Sequence, residues 1–189
     1  MDGIYGICEP GVQLHTLDAE PMAAAMGIGE QSAGSLIGEN GALLAAAGGL
    51  DVPSLAAFYG SYVAVDADLC NYEALLREDL ESHGNGKTSA AELIAALYAR
   101  YGLTFVERLK GAFSLALWDP KLQRLVLAVD GHAFKTLYWA FGDGRLLFAS
   151  RLAAIESMKR RSEVDPAALM QFLVHTVVPA PLTIYKGTE

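Results

Sequence analysis

Basic residues are scarce in this chain, and cysteines scarcer. Lys and Arg number 14 against 22 Asp and Glu, a formal net charge of −8. A nucleic-acid surface needs clustered cations. The one basic cluster, Lys159-Arg160-Arg161, reads as the solvated end of a helix, so no nucleic-acid partner is expected. Cys8 and Cys70 are the two cysteines, with no CxxC spacing. They offer no metal site and fit a reducing, cytoplasmic setting. The histidines His15, His83, His132 and His175 are scattered without ligand spacing, which favours loop or surface roles. No apolar run reaches ~18 residues without a turn former, so no membrane span is expected. The N-terminus carries no basic region followed by an apolar one, so no secretory signal is expected either.

What is present belongs to a folded domain. Hydrophobic residues make up 52% of the 189 and mean hydropathy is +0.27, which excludes disorder. A chain of this length buries roughly 70% of its unfolded surface. Residues 111–150 are the most ordered stretch: four apolar runs separated by turn formers, at Asp119-Pro120 and Gly142-Asp143-Gly144 among others. They predict four consecutive antiparallel strands in one sheet, the last two joined as a hairpin.

The remaining elements follow in order. Residues 3–8 predict a short strand and 18–26 a short helix capped by Asp18. Two strands are expected around Glu39-Asn40-Gly41, a hairpin signal, and one more over 58–66. Asn71 caps a predicted amphipathic helix through Ser82, with Tyr72, Leu75, Leu76 and Leu80 on one side, stopped by residues 83–86. A second helix runs over 88–101 with Ser89 and Glu92 as a capping box and Gly102 closing it. A turn of helix is expected over 105–109. Asp165-Pro166 opens a last helix through about His175, and the chain from Pro179 to Glu189 reads as an unpacked linker. Two batches of strands with helices between them predict an α+β fold of stacked antiparallel sheets with helices outside.

The 111–150 stretch also resembles a family. Asparagine synthetases, with the class II glutamine amidotransferases, carry a segment RGxFAxALWD, then LxLARDxxGxKPLYY, then FAS. Here these are Lys110–Asp119 (KGAFSLALWD), Leu125–Trp139 (LVLAVDGHAFKTLYW) and Phe148–Ser150, with the spacing kept. Asp165 to Gly187 is similar to the connector that joins the family's glutaminase domain to an ATP-using synthetase domain. The resemblance implies the N-terminal nucleophile (Ntn) hydrolase-like architecture, a four-layer αββα sandwich. It divides the chain into a glutaminase-like domain, 1–160, and a helix with connector, 161–189. It implies as partner a C-terminal synthetase domain absent from these residues. ATP and Mg are expected of that domain and no cofactor of this one. A homodimer is the other assembly the resemblance leaves open.

The resemblance also says which residues glutamine hydrolysis needs. The family's Met-Cys-Gly-Ile-x-Gly-Ile start exposes a Cys nucleophile; here Asp2 stands in its place. The oxyanion hole comes from the Asn and Gly of NGEIYNY, matched here by Asp66 and Ala67, with Asp68 following. The Asp of SDTE, which binds the substrate amine, is matched by Ala90. No Arg precedes Arg77 to take the substrate carboxylate. Asp2, Asp66, Ala67, Asp68 and Ala90 thus mark a vestigial pocket, with no catalytic residue and no metal. Asp2, Asp66 and Asp68 could alternatively converge on a cation, a reading set against plain solvated or capping carboxylates. Asp130, His132 and Lys135 lie in the family's DRxGxKP turn and are read as organising a loop.

The function expected is an inactive glutaminase-like half of an ATP-dependent amide-forming ligase related to asparagine synthetase, of the lactam-synthetase or lasso-peptide-cyclase type. Such enzymes use an internal amine and need no imported ammonia. The alternatives are an active glutamine-hydrolysing domain and a free-standing binding module. This stretch contains no SGGxDS pyrophosphate loop, so it is not expected to be an active ligase alone.

Overall fold

The structure, a computed structural model, describes residues 3–27, 33–38, 40–48, 54–79 and 88–189, excepting the side chains of 33–38 and 79. Among the described residues, nine strands form two sheets. β1 (Gly3–Cys8), β2 (Ala33–Gly38), β3 (Ala42–Ala47), β8 (Tyr138–Gly142) and β9 (Arg145–Ala149) make one, in the order β2-β3-β1-β9-β8. β4 (Ser54–Phe58), β5 (Ser61–Leu69), β6 (Gly111–Asp119) and β7 (Arg124–Val129) make the other, in chain order. Every pairing is antiparallel.

Three apolar clusters define the layers. Ile4, Leu44, Ala64, Ala116, Trp118 and Phe148 pack between the sheets. On the outer face of the four-stranded sheet, Val63, Val65, Leu115 and Leu117 meet α2 (Tyr72–Asp79) and α3 (Ala90–Tyr101) through Leu75, Leu93, Ile94 and Leu97. On the far side, Tyr5, Ile7, Leu43 and Leu147 meet α1 (Glu20–Ala25) and α4 (Leu152–Glu156) through Met22 and Ile155. This is the αββα sandwich.

Strand alternation sets the packing. Ile4 and its β1 neighbours two residues apart face the other sheet, while Tyr5 and Ile7 face the helices. Gly6 sits where a side chain would not fit: a Cβ there would lie 2.3 Å from the Leu43 carbonyl oxygen and 2.4 Å from Phe148 Cζ.

Several expectations change. The stretch 111–150 is not one four-stranded meander but two hairpins, β6–β7 in one sheet and β8–β9 in the other. The Asp130–Leu137 crossover carries the chain between layers. Residues 58–66 are not one strand either. Tyr59 and Gly60 both take positive φ, 51° and 77°, and turn β4 tightly into β5 with Phe58 opposite Ser61. The alternating pattern runs through this turn and hides it. The helix expected over 18–26 begins later, at Glu20, behind a 3-10 turn, Thr16–Ala19, with Pro21 in its first turn. Asp18 closes that turn by accepting from the His15 N–H at 2.7 Å. α4 had no sequence signal strong enough to predict it. Of the hairpin signal, Asn40 and Gly41 both have positive φ and β2 pairs with β3, while Glu39 lies outside the described residues. Leu80 and residues 83–86 lie outside them too. The Ser89–Glu92 capping box and the Asp165 cap of α5 (Pro166–His175) form as expected.

The segment from Pro179 to Glu189 is packed, not free. Val164 bridges Tyr185, and Thr188 is buried. Its hydroxyl donates to Glu156 Oε1 at 2.8 Å. The same carboxylate oxygen is 2.8 Å from Lys159 Nζ. Glu189 and Trp139 exchange both backbone hydrogen bonds, at 2.9 and 2.7 Å, extending the five-stranded sheet past β8.

Packing at Gly6 yields a first test. Gly6→Ala should destabilise the domain by about 1–3 kcal/mol, as overpacking does, and Phe148→Ala by about 3–5 kcal/mol. Urea unfolding of the double variant should show no rescue, because the Leu43 carbonyl still blocks the new methyl group. A stability equal to Phe148→Ala alone would place the Gly6 clash on the ring instead.

Candidate functional site

The site lies on the four-stranded sheet, near the C-terminal end of β5 and the start of β6. Asp66 pairs with Ser114, Ala67 with Phe113 and Asp68 with Ala112. β6 can begin there only because residue 111 is glycine. Its φ is 130°, and a Cβ would lie 2.2 Å from the Asp68 carbonyl oxygen. The glycine of the KGAFSLALWD motif is thus a steric requirement of the β5–β6 pairing.

Alternation places Asp66 and Ser114 on the inter-sheet face, in step with Ala64 and Ala116. Asp66 is 8% exposed, yet it is not isolated. Lys135 Nζ donates to Asp66 Oδ1 at 2.8 Å. Ser114 is fully buried, and its hydroxyl has no hydrogen-bond partner among the described residues.

Lys135 is brought there by Asp130. The Asp130 carboxylate accepts four backbone N–H groups: His132 at 3.0 Å and Phe134 at 3.1 Å on Oδ1, Lys135 at 3.2 Å and Phe113 at 3.3 Å on Oδ2. Its own N–H donates to the Phe113 carbonyl at 2.9 Å, and its carbonyl accepts from Ala133 N–H at 2.9 Å. The crossover is therefore wound around one buried side chain. At its far end the Thr136 hydroxyl donates to the Ser150 carbonyl at 3.0 Å. Burial alone would push the Asp130 carboxyl up, but the four N–H donors outweigh it and hold the group below its ordinary value of 3.8.

The other expected positions do not join this cluster. Ala67 and Ala90 are half-buried and pack in the helix layer, on the opposite face of the sheet from Asp66. The start of α3 is tied to the sheet by the Ala91 N–H donating to Ser54 Oγ at 3.0 Å, and Ser54 pairs with Val65, next to Asp66. Asp68 is exposed. Asp2 lies outside the described residues; after it, Ile4 N–H donates to Ser150 Oγ at 3.0 Å. Among the described residues no group of three His, Cys, Asp or Glu side chains could hold a metal.

Asn71 does not cap α2 with its side chain. Its amide nitrogen donates to the Arg108 carbonyl at 2.8 Å, and its Oδ1 accepts from Lys110 N–H at 3.0 Å, bracing the loop before β6. Neither cysteine is placed as a nucleophile. Burial pushes the Cys8 thiol up to about 11, and a protonated thiol does not attack. Cys70 donates its S–H to the Lys110 carbonyl at 3.2 Å. The residue missed by reading the sequence is Lys135 as an ion-pair partner. The signal was present: a buried-strand Asp at 66 demands a cation, and Lys135 sits in a turn that an aspartate begins.

Comparison with known proteins agrees with this architecture. The family profile described as a glutamine amidotransferase domain matches residues 53–189. The amidase chry2 of Gibberella zeae is 35% identical over 96 residues, 49% of this chain and 14% of that protein. A putative glutamine-hydrolysing asparagine synthetase of Mycobacterium tuberculosis is 33% identical over 135 residues, 68% of this chain and 21% of that protein. The glutamine phosphoribosylpyrophosphate amidotransferase of B. subtilis is similar in fold, with a TM-score of 0.59 at 17% identity over 87% of this chain and 45% of that one. The chain spans less than half the length of each of these relatives. The shared fold is the α+β sandwich of Ntn-hydrolase type.

The Asp130 nest gives a pH-dependent prediction. A carboxyl held below its ordinary value contributes stability that is present above 3.8 and lost as pH falls through the lower, folded value. Asp130→Asn should therefore lower the urea midpoint at pH 6, and the gap to wild type should close as pH falls below 3.8. A gap constant across that range would mean that the carboxylate charge contributes nothing.

Proposed function

Because the chain belongs to the glutamine amidotransferase family, as an N-terminal class II domain like that of asparagine synthetases, we propose that it is a glutaminase-like domain that does not hydrolyse glutamine. It serves as a structural half of a larger amide-forming ligase. The observation that carries this reading is Asp66. At the position where the resemblance requires a neutral donor for a developing oxyanion, there is a buried carboxylate already engaged by Lys135 at 2.8 Å. A negative acceptor there opposes the charge that the reaction must build. Asp2 at the nucleophile position and Ala90 for the amine anchor point the same way, while Ala67 keeps the backbone N–H that a glycine would supply.

The helix α5 supports the partner-domain part of the proposal. Ala168 is its one buried residue. Met170, Leu173 and Val174 are 59%, 66% and 66% exposed, with Leu169 and Phe172 also open. A helix apolar nearly all round belongs inside a larger assembly. Beside it lies a groove of about 720 Å³ lined by Val129, Leu137, Leu169, Phe172, Val177 and Leu182, among others. This surface would seat the synthetase domain that follows the 161–189 connector in the parent enzyme. ATP and Mg would belong to that domain. A parent that joins a carboxylate to an internal amine, as in lactam synthetases or lasso-peptide cyclases, would tolerate loss of ammonia supply. That chemistry is the finer form of the proposal.

Glutamate release tests it. The domain should release none above background, and Asp2→Cys should not restore it. Loss of the one side-chain donor at position 66 suppresses the rate by about 10²–10³, and the carboxylate charge there adds to the loss. Turnover by processed Asp2→Cys near that of an intact glutaminase domain would end the inactive-site reading.

A further inference from the structure

We propose that Lys135 acts as a built-in seal, an ion-pair contact that closes the polar spot of Asp66 and Ser114 from solvent. The proposal rests on the inactive-site reading and deepens it: the site is not merely missing a donor but is plugged by the chain's own ammonium.

The geometry is specific. Asp66 and Ser114 are direct cross-strand partners on the inter-sheet face. On its other side Ser114 pairs with Val129, the residue before Asp130. So the Ser114 hydroxyl lies between the strand that carries Asp66 and the strand that launches the crossover. Lys135 returns from that crossover to Asp66 across 69 residues of sequence. A third of the lysine side chain is exposed, whereas Asp66 is nearly buried and Ser114 wholly so. The lysine is thus the most exposed of the three side chains.

The placement is pre-set. Asp130 fixes the Lys135 backbone through its N–H, and Thr136 fixes the next residue to Ser150. The backbone is thus already ordered, and only the lysine side-chain torsions remain to be fixed when the ammonium meets the carboxylate. A buried carboxylate without a partner is costly, so opening the seal exposes both ions at once. Ser114 is the group that reports the closure. A buried hydroxyl normally finds a partner, and this one has none in the closed arrangement.

Thiol labelling tests the seal. In a Cys70→Ser background, which removes the exposed thiol, Ser114→Cys places a near-isosteric probe at the site. Buried Cys8, in the inter-sheet cluster, is the internal control. With Lys135 present, iodoacetamide should modify the introduced thiol as slowly as Cys8. Adding Lys135→Ala, or separately Asp66→Asn, should accelerate it by about ten- to a hundredfold, the range expected for loss of a charged hydrogen bond, while Cys8 stays slow. Lys135→Arg should keep it slow. No acceleration in either variant, acceleration matched by Cys8, or fast labelling with Lys135→Arg would each overturn the seal. Glutamate release by the unaltered domain would sink the inactive-site reading and leave the labelling result standing.

Discussion

The crossover depends on one carboxylate. Asp130, itself buried, gathers four N–H groups at 3.0–3.3 Å, three of them from the turn that follows it. A buried carboxylate is expensive unless its oxygens are met by donors. With Asp130 in place the chain can leave the four-stranded sheet, bend, and enter the five-stranded one. The two-layer core of Ile4, Trp118 and Phe148 is enclosed by those sheets. The Lys135–Asp66 contact follows from the same turn. A surface ion pair contributes little. This pair is semi-buried, and its worth lies less in net stability than in keeping Asp66 from being an unpaired interior charge.

Much of the architecture was legible in the sequence, because short apolar runs and turn formers report strands directly. Capping chemistry was legible too: Ser89 and Glu92, and Asp165 with Pro166, form as the residues dictate. What was hidden is tertiary. Nothing local in 111–150 distinguishes four strands in one sheet from two hairpins in two, since each hairpin satisfies its own pattern. The β4–β5 turn was hidden because Tyr59 takes positive φ, which bulky residues rarely do. α4 is five residues long, too short for periodicity to show.

The candidate site divides in the same way. Asp66 was found by position, through the resemblance, and the structure buries it on the inter-sheet face. The expected companions Ala67 and Ala90 turn away because strand alternation and helix packing put them on the other face. Lys135 was read as a loop residue. Its role depends on a contact across 69 residues that no spacing rule reveals.

The backbone pair between Trp139 and Glu189 has a consequence for how the domain can be divided. β8 is the last strand of its sheet, and an open edge with exposed Trp139 and Phe141 is a template for pairing with other chains. The terminal segment covers that edge at Trp139, held by the Thr188–Glu156–Lys159 cluster. The terminal residues are therefore edge protection for this sheet. A domain trimmed at 160 would keep its three-cluster core but present a bare apolar strand, turning a boundary drawn for convenience into a route to aggregation.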